Sequence, residues 1–313
     1  MPTSRRDAAL LGLGAVAGAG LALAAVRRRQ RPATAAAAAT TTAPASLPAE
    51  LETELWSRNS AFFGEAGHAK VRGATVAVIG LGGVGSHAAH MLARSGVGTL
   101  KLVDFDMVSL SSLNRHATAR LKDVGLSKGA SMAAALGEVV PGVRVEAIKA
   151  LFSADNAAAL LTPKPDYVVD CIDDTKTKAE LIAYCLNHDI RVVTALSAGA
   201  KADPTKLNIG RLVDAPGGAD PLASKIRWRL RKLGIHDHAS CKVDACYSYE
   251  KPWHTLLPLN SQQEAQPEEF GQVREGRRCS AATTTSRCAY DARPVTTTTV
   301  KDDAALQLLL LLC

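Results

Sequence analysis

The chain has 313 residues, 47% of them apolar and only 4% aromatic, so one large domain with a core of mostly Ala, Val and Leu is expected. The formal net charge of +7 suits a membrane surface or a nucleic acid and does not choose between them. Seven cysteines without a CxxC pair argue against a structural zinc site, and their odd number without a secretory context indicates reduced thiols.

The first 31 residues are predicted to form a membrane anchor or a targeting segment. Residues 8–26 are uncharged and apolar, and a helix of that length reaches about 28 Å, roughly one bilayer core. The RRRQR cluster at 27–31 favours an orientation that leaves the rest of the chain in the cytosol. An anchor helix, an organelle transit peptide and a cleaved secretory signal all remain open, and the length and flanks favour the anchor.

Two further segments lack the pattern of a folded domain. Residues 32–50 are low in complexity, rich in Ala, Thr and Pro, and are predicted to be a linker. Residues 277–313 contain a Thr tract and end in a Leu run too short to span a bilayer, so a divergent, disordered tail is predicted. The folded domain is therefore expected between residues 51 and 276.

Strand and helix patterns alternate within this domain. Short apolar runs predict strands at 75–80, 99–106, 143–150, 165–173 and 191–199, and helices are predicted at 84–96, 127–140 and 175–187. This alternation predicts an α/β fold, namely a Rossmann-like, doubly wound and mostly parallel sheet with flanking helices. A ligand is expected beyond the carboxyl ends of the strands.

A glycine motif follows the first of these strands. Gly80, Gly82 and Gly85 form a GxGxxG pattern between a predicted strand and a predicted helix. Glycines let the backbone approach a phosphate, and the helix N-terminus offers free N–H groups. A mere tight turn is the competing interpretation. The motif indicates a nucleotide but not which one.

The stretch DFDMVSLSSLNR at 104–115 carries more charge than a dinucleotide site requires. Asp104 lies where a ribose-binding carboxylate is usual, and Asp106 is either a second ligand or a turn residue. Arg115 and, in the next helix, Lys128 are two cations at the same end of the sheet. Each alone is most simply a solvated surface cation, whereas together they suit a triphosphate better than a dinucleotide.

The stretch VVDCIDD ends the predicted strand at 165–173 with three carboxylates. Asp174 precedes a helical pattern and suits the position of an N-cap. Asp173 is the better candidate for holding Mg²⁺ on bound phosphates. Asp170 lies within the strand.

The remaining candidates have plain structural explanations. Lys225, Arg229 and Lys232 share one face of a predicted basic helix, which is either solvated or in contact with an RNA backbone. His87 and His90 lack a third ligand in the sequence. Cys246 has no base placed beside it, so a buried structural thiol is expected.

The ordered set of motifs resembles a known family. The stretches that carry the resemblance are GLGGVGSHAAHMLARSGVGTLKLVDFDMVSLSSLNRHA, VGLSKG, DCIDD and TKAELIAYC, which are similar to the ubiquitin-activating-enzyme-like, ThiF-type adenylyltransferases. SRNSAFFGEAG, GAKADPTKLNIG, DPLASKIRWRLRKLGI and YSYEKP narrow the resemblance to the tRNA threonylcarbamoyladenosine dehydratases of the membrane-anchored fungal and mitochondrial branch.

The resemblance implies an ATP–Mg²⁺ site built from these motifs. It implies that Asp104 takes the ribose, that Arg115 and Lys128 hold the phosphates, and that Asp173 lies at the Mg²⁺. It also implies a homodimer in which Arg58 reaches the phosphates of the partner subunit. The nucleotide-binding residues implied in this way are Gly80, Gly82, Gly83, Gly85, Asp104, Asp106, Asn114, Arg115, Lys128, Asp173 and Arg58.

The implied activity is ATP-dependent dehydration of threonylcarbamoyladenosine in the tRNA anticodon loop, through adenylation of its carboxylate. The implied partners are tRNA carrying this nucleoside and a membrane, most simply the mitochondrial outer membrane with the enzyme facing the cytosol. A mitochondrial matrix or other organellar enzyme released from a transit peptide is the alternative. No zinc is expected.

Three other functions remain open. An activating enzyme for a ubiquitin-like or sulfur-carrier protein shares the ATP site. A non-catalytic, membrane-tethered protein that binds a nucleotide or RNA is favoured by the RRCSAATTTS stretch, which replaces the end that family members usually have. An NAD dehydrogenase is third.

Overall fold

The structure is a computed structural model, which describes residues 39–42, 47–199, 201–217, 220–236 and 242–251. The predicted hydrophobic helix at 8–26 and the predicted tail at 277–313 lie outside the described residues. Within the described part of the chain, no helix combines the length and the apolar character that a membrane span requires.

The described residues form one mixed sheet with the strand order β1-β4-β3-β2-β5-β6-β8-β7. The six inner strands, β2 to β6 and β8, run parallel to one another, whereas the edge strands β1 and β7 pair antiparallel with β4 and β8. The prediction of a doubly wound, mostly parallel sheet is therefore confirmed. The strands are β1 (Ala39–Thr42), β2 (Thr75–Ile79), β3 (Thr99–Val103), β4 (Arg144–Ile148), β5 (Tyr167–Asp170), β6 (Arg191–Ala195), β7 (Leu207–Arg211) and β8 (Asp244–Ser248).

Six α-helices accompany this sheet in the described residues: α1 (Ala49–Gly73), α2 (Gly83–Arg94), α3 (Lys128–Val139), α4 (Ala157–Leu160), α5 (Thr175–Asn187) and α6 (Pro221–Lys232). The three helices predicted between the strands are confirmed as α2, α3 and α5. Helix α1 is interrupted at Gly64, whose φ of 72° is left-handed.

The core lies on both faces of the sheet because successive strand residues point in opposite directions. Val76 and Val78 of β2 join one cluster with residues of α1, α2 and α3. Ala77 and Ile79 join a second cluster with residues of α5 and α6. The glycine motif follows β2, so it lies at the middle of the sheet with helices on both sides.

Several boundaries differ from the sequence prediction, and β6, predicted to reach residue 199, already ends at Ala195. Strands β3 and β5 end at Val103 and Asp170, which is earlier than predicted because Asp104, Asp106 and Asp173 leave the ladder and form the loops at the ligand end. Ala39–Thr42, within the segment predicted to be a linker, pairs with β4 as an antiparallel edge strand. Its β-branched threonines suit a strand, which the low-complexity composition concealed.

Candidate functional site

The glycine loop joins β2 to α2, and its glycines serve two purposes. A Cβ at Gly85 would overlap the carbonyl oxygen of Gly80, and a Cβ at Gly80 would lie 2.8 Å from that of Cys171. Both glycines are therefore required for close packing of the turn. At Gly82, the N-cap of α2, no described atom lies within 4 Å of an added Cβ. The tight turn thus leaves the helix N-terminus open to a phosphate.

Asp104 connects the end of β3 to this loop. Its side chain is buried, and Oδ2 accepts the Leu81 N–H at 2.6 Å while Oδ1 accepts the Asp106 N–H at 2.7 Å. Each carboxylate oxygen retains a second lone pair for a ribose hydroxyl. Asp104 therefore holds the glycine loop against β3, and its binding of a ribose stays a prediction.

Asp106 and Lys128 form an ion pair. Lys128 Nζ lies 2.6 Å from Asp106 Oδ2, and the Lys128 backbone N–H donates to the carbonyl of Asp106 at 3.1 Å. Lys128 begins α3 and its side chain is largely buried, whereas that of Asp106 is half-exposed. The two predicted residues are thus brought together.

Arg115 lies against the glycine loop. Its Nη1 donates to the Ser111 carbonyl at 2.7 Å and to Asn114 Oδ1 at 3.1 Å. A Cβ at Gly83 would lie 3.4 Å from Arg115 Cδ, which places the arginine stem beside the N-terminus of α2. Arg115 therefore lies in contact with Asn114 and beside Gly83, at the N-terminus of α2.

His116 is a buried residue of this region that the sequence did not single out. Its Nδ1 accepts the backbone N–H groups of Thr118 and Ala119, whereas its buried Nε2 has no partner among the described residues. Burial lowers the pKa of His116, and Lys128 lowers it further. The neutral ring therefore has a buried Nε2–H group, near Lys128 and Asp104, that can donate a hydrogen bond to a ligand. Its position directly after Arg115 is the signal that could have identified it.

The three aspartates after β5 have different environments. Asp174 caps α5, because its Oδ2 accepts the N–H and the hydroxyl of Thr177, both at 2.7 Å. This confirms the capping interpretation. Asp173 is exposed immediately before it, so its carboxylate is available to a ligand.

Asp170 is fully buried, which the sequence did not reveal. Its Oδ2 accepts from Lys178 Nζ and from Thr194 Oγ1, both at 2.7 Å, and its Oδ1 accepts the Ile172 N–H at 3.1 Å. The Lys178 side chain is fully buried as well. The helical spacing that places Lys178 on the face of Leu181 and Ile182 is the signal that could have identified this pair.

Arg58 and metal ligands are the remaining predictions for this site. Arg58 is exposed on α1, and the structure records no hydrogen bond or ion pair joining it to another described residue. No group of three or more His, Cys, Asp or Glu side chains in the described ranges is arranged to hold a metal ion. Mg²⁺ commonly uses one or two carboxylates together with substrate phosphates, so the exposed Asp173 fits such a site.

A cavity of about 270 Å³ lies at the carboxyl ends of β6 and β8. Val84, in the first turn of α2, forms part of its wall. Lys201, Cys246 and Glu250 also line it. Cys246 is buried in β8, as expected for a structural thiol.

Helix α6 is the predicted basic helix. Ile226 and Leu230 are buried on one face, and the Arg227 guanidinium donates to the carbonyls of Leu212, Val213 and Ala215. The Lys232 ammonium lies 3.9 Å from the centroid of the half-exposed Trp228 ring. The other face is therefore basic and in contact with solvent, and RNA contact remains a prediction.

Comparison with known proteins places this site in a family. The model of the ThiF family matches residues 56–227. The chain is 41% identical over 206 residues to tRNA threonylcarbamoyladenosine dehydratase 2 of Saccharomyces cerevisiae, covering 64% of this chain and 45% of that one. It is 39% identical over 180 residues to the Escherichia coli tRNA threonylcarbamoyladenosine dehydratase, covering 56% and 66%. The corresponding enzyme of Bacillus subtilis is 38% identical over 197 residues, with 63% and 75% covered.

Solved structures agree with this comparison. The crystal structure of the E. coli dehydratase TcdA in complex with AMP has a TM-score of 0.63 at 32% identity and covers 68% of this chain and 87% of its own. The complex with ATP has a TM-score of 0.62 at 33% identity, covering 66% and 86%. The chain spans 45% of the yeast relative and 66% of the E. coli relative. The chain belongs to the ThiF family, in the branch that contains the tRNA threonylcarbamoyladenosine dehydratases.

Proposed function

We propose that the chain catalyses the ATP-dependent dehydration of threonylcarbamoyladenosine in a tRNA anticodon loop, by adenylation of the threonyl carboxylate. The observation that carries this proposal is the open N-terminus of α2 at Gly82, with Arg115 beside it and Asp104 on the neighbouring strand end. The relatives named as dehydratases and the ATP complex of TcdA support ATP as the nucleotide.

Each residue has a role in this proposal. Asp104 binds the ribose, and the N–H groups at the start of α2 bind phosphate oxygens together with Arg115 and Lys128. Asp173 would hold a Mg²⁺ ion, which would supply positive charge beside the phosphates. ATP supplies an AMP group that converts the poorly electrophilic carboxylate into an acyl group with a good leaving group. A nucleophile within the same substituent then closes a ring and displaces AMP, so the substituent loses the elements of water.

Pyrophosphate exchange tests this function. Radiolabelled pyrophosphate should enter ATP in the presence of tRNA that carries threonylcarbamoyladenosine, and should not do so with the same tRNA lacking the modification or with no tRNA. Exchange that instead requires a ubiquitin-like or sulfur-carrier protein would favour that activating function. Binding of ATP or tRNA without exchange would favour a non-catalytic protein. Tighter binding of NAD than of ATP–Mg²⁺ in calorimetry would contradict the whole proposal.

Replacing Asp173 with asparagine should lower the rate of exchange at limiting Mg²⁺ by about 100-fold, because a metal-binding carboxylate is lost. The thermal midpoint should stay near that of the wild type, since Asp173 is exposed. Asp174→Asn is the matched control, because it removes the same charge one residue away and asparagine preserves the N-cap. Comparable exchange rates for the two variants across a Mg²⁺ titration would contradict the metal role of Asp173.

We also propose that residues 8–26 anchor the enzyme in the mitochondrial outer membrane, with residues 51–276 on the cytosolic side. The apolar length, the RRRQR cluster and the low-complexity segment after it support this location. Protein purified from mitochondria should keep its N-terminus and stay in the pellet after alkaline carbonate extraction. A mature chain that begins beyond residue 26, or full release into the supernatant, would instead support cleavage of a transit peptide and a matrix or other organellar enzyme.

We further propose that the chain forms a homodimer in which Arg58 reaches the phosphates of the partner subunit. Its exposed position on α1, without a partner among the described residues, supports this role. Exposed apolar side chains also occur in the loops after β3 and β4, at the same edge of the sheet as the proposed ATP site, and apolar surface suits a protein contact. These side chains are Phe105, Met107, Leu110, Leu121, Leu126 and Leu151. Sedimentation velocity measures the number of subunits.

A further inference from the structure

The cavity beside Val84 is not used by the groups assigned so far. Its volume of about 270 Å³ is just below the common range of ligand pockets, which begins near about 300 Å³. It therefore suits a small acyl group better than a whole nucleotide. Its wall is continuous with the first turn of α2, where the phosphates are proposed to bind.

The order of the strands places this cavity relative to the nucleotide. The order β3-β2-β5-β6-β8 carries Asp104 after β3, the glycine loop after β2, Asp173 after β5, and the cavity at β6 and β8. A nucleotide with its ribose at Asp104 and its phosphates at the glycine loop would have the cavity on the side away from the ribose. A group that receives AMP would enter from that side.

Lys201 is the cation in the wall of this cavity. Its side chain is only 5% exposed, yet its Nζ lies 3.5 Å from Asp220 Oδ2 and 3.4 Å from the Ser248 carbonyl oxygen. Both distances are long for a hydrogen bond to an ammonium group. By contrast, the ammonium groups of Lys128 and Lys178 lie 2.6 Å and 2.7 Å from their carboxylates. The ammonium of Lys201 is thus loosely held and can donate to a further acceptor.

The carboxylates near Lys201 are stabilised by other groups. Asp220 is the N-cap of α6 and accepts three backbone N–H groups, while Glu250 accepts two. Backbone N–H groups and the positive end of a helix dipole offset much of a carboxylate charge. Lys201 is therefore not required to neutralise Asp220 or Glu250, and its charge is available to a bound anion.

We propose that this cavity binds the threonyl part of the substrate and that Lys201 holds the carboxylate that is adenylated. This inference rests on the proposed function. One carboxylate oxygen would form a bond to the α-phosphorus of ATP as the bond from that phosphorus to pyrophosphate breaks. Lys201 would orient the second carboxylate oxygen, so its role is binding of the substrate.

Calorimetry on the full chain tests the proposal directly. The probes are the free nucleoside N6-threonylcarbamoyladenosine and its methyl ester, each added with a non-hydrolysable ATP analogue. The wild type should prefer the carboxylate, and Lys201→Met should weaken binding of the carboxylate by about 100-fold while leaving the ester nearly unchanged. Lys201→Arg should restore part of the preference. Lys242→Met is the matched control, because Lys242 is exposed just before β8 and is not part of the cavity wall, so both affinities should stay unchanged.

A second measurement uses modified tRNA, so that it also works if the free nucleoside binds too weakly for calorimetry. Lys201→Met should lower pyrophosphate exchange driven by modified tRNA by about 100-fold, with ATP affinity and thermal midpoint close to those of the wild type. A Lys201→Met variant that exchanges normally, or that still prefers the carboxylate to the ester, would overturn the role of Lys201 while the proposed function stands. Absence of exchange in the wild type with every tRNA would overturn the function itself, and this inference with it.

Discussion

Replacing Gly85 with alanine is expected to destabilise the fold by about 3 kcal/mol and to abolish measurable ATP binding. The added Cβ would overlap the carbonyl oxygen of Gly80, and that atom belongs to the backbone and cannot rotate away. The first turn of α2 would have to move from the end of β2. Because the proposed phosphate site consists of the N–H groups of that turn, the movement removes the site as well as the packing.

Two alanine substitutions separate these effects. Gly73→Ala is the control for the chemical change, since no described atom lies within 4 Å of a Cβ at the end of α1, and it should leave stability and ATP affinity unchanged. Gly82→Ala also meets no described atom, so it should fold normally and yet bind ATP more weakly, because its methyl group enters the space proposed for the phosphate. Urea unfolding and ATP calorimetry measure both properties. A Gly85→Ala variant with the unfolding free energy and the ATP affinity of the wild type would show that the loop accommodates the Cβ by a small shift.

The parts of the fold that follow from local pattern could be predicted from the sequence. The buried strands around Val78 and Val169 are short apolar runs, and the helices between them have the spacing that helices require. The cap at Asp174 follows from local sequence as well, since a cap depends on neighbours within three residues. Chain order and strand periodicity together determine that the glycine loop lies at the centre of a parallel sheet.

The parts that depend on distant residues could not be predicted in the same way. Lys128 and Asp106 are separated by the loop 107–127, and their ion pair depends on how that loop closes. The cavity depends on the loop that carries Lys201 and on Cys246 in β8, which meet only once β6 and β8 pair. The short edge strand at Ala39–Thr42 exists because β4 offers it backbone partners. The sequence gives the chemistry of each residue, whereas these contacts form only when the strands of the sheet are paired.

Lys178 shows most clearly how a distant contact overrides a residue's own chemistry. Its charge suggests a surface position, whereas its side chain has no solvent exposure. Replacing Lys178 with methionine should lower the free energy of unfolding by about 3–5 kcal/mol, since it leaves the carboxylate of Asp170 buried without its counter-ion. The pair also lies directly below the loop that carries Asp173: Asp170 accepts the Ile172 N–H and the Thr194 hydroxyl, so it joins β5, β6 and that loop. ATP–Mg²⁺ affinity should therefore fall together with stability.

A double variant distinguishes loss of the ion pair from loss of packing. Asp170→Asn combined with Lys178→Met removes both charges, and the asparagine can still accept from Ile172 and bond to Thr194, so most of the lost stability should return. Lys176→Met removes an exposed charge from the same turn of α5 and should change stability by less than about 0.5 kcal/mol. Urea unfolding of the four proteins, wild type included, completes the comparison. If the double variant is as unstable as Lys178→Met alone, the aliphatic stem of Lys178 and not its charge holds α5 against the sheet.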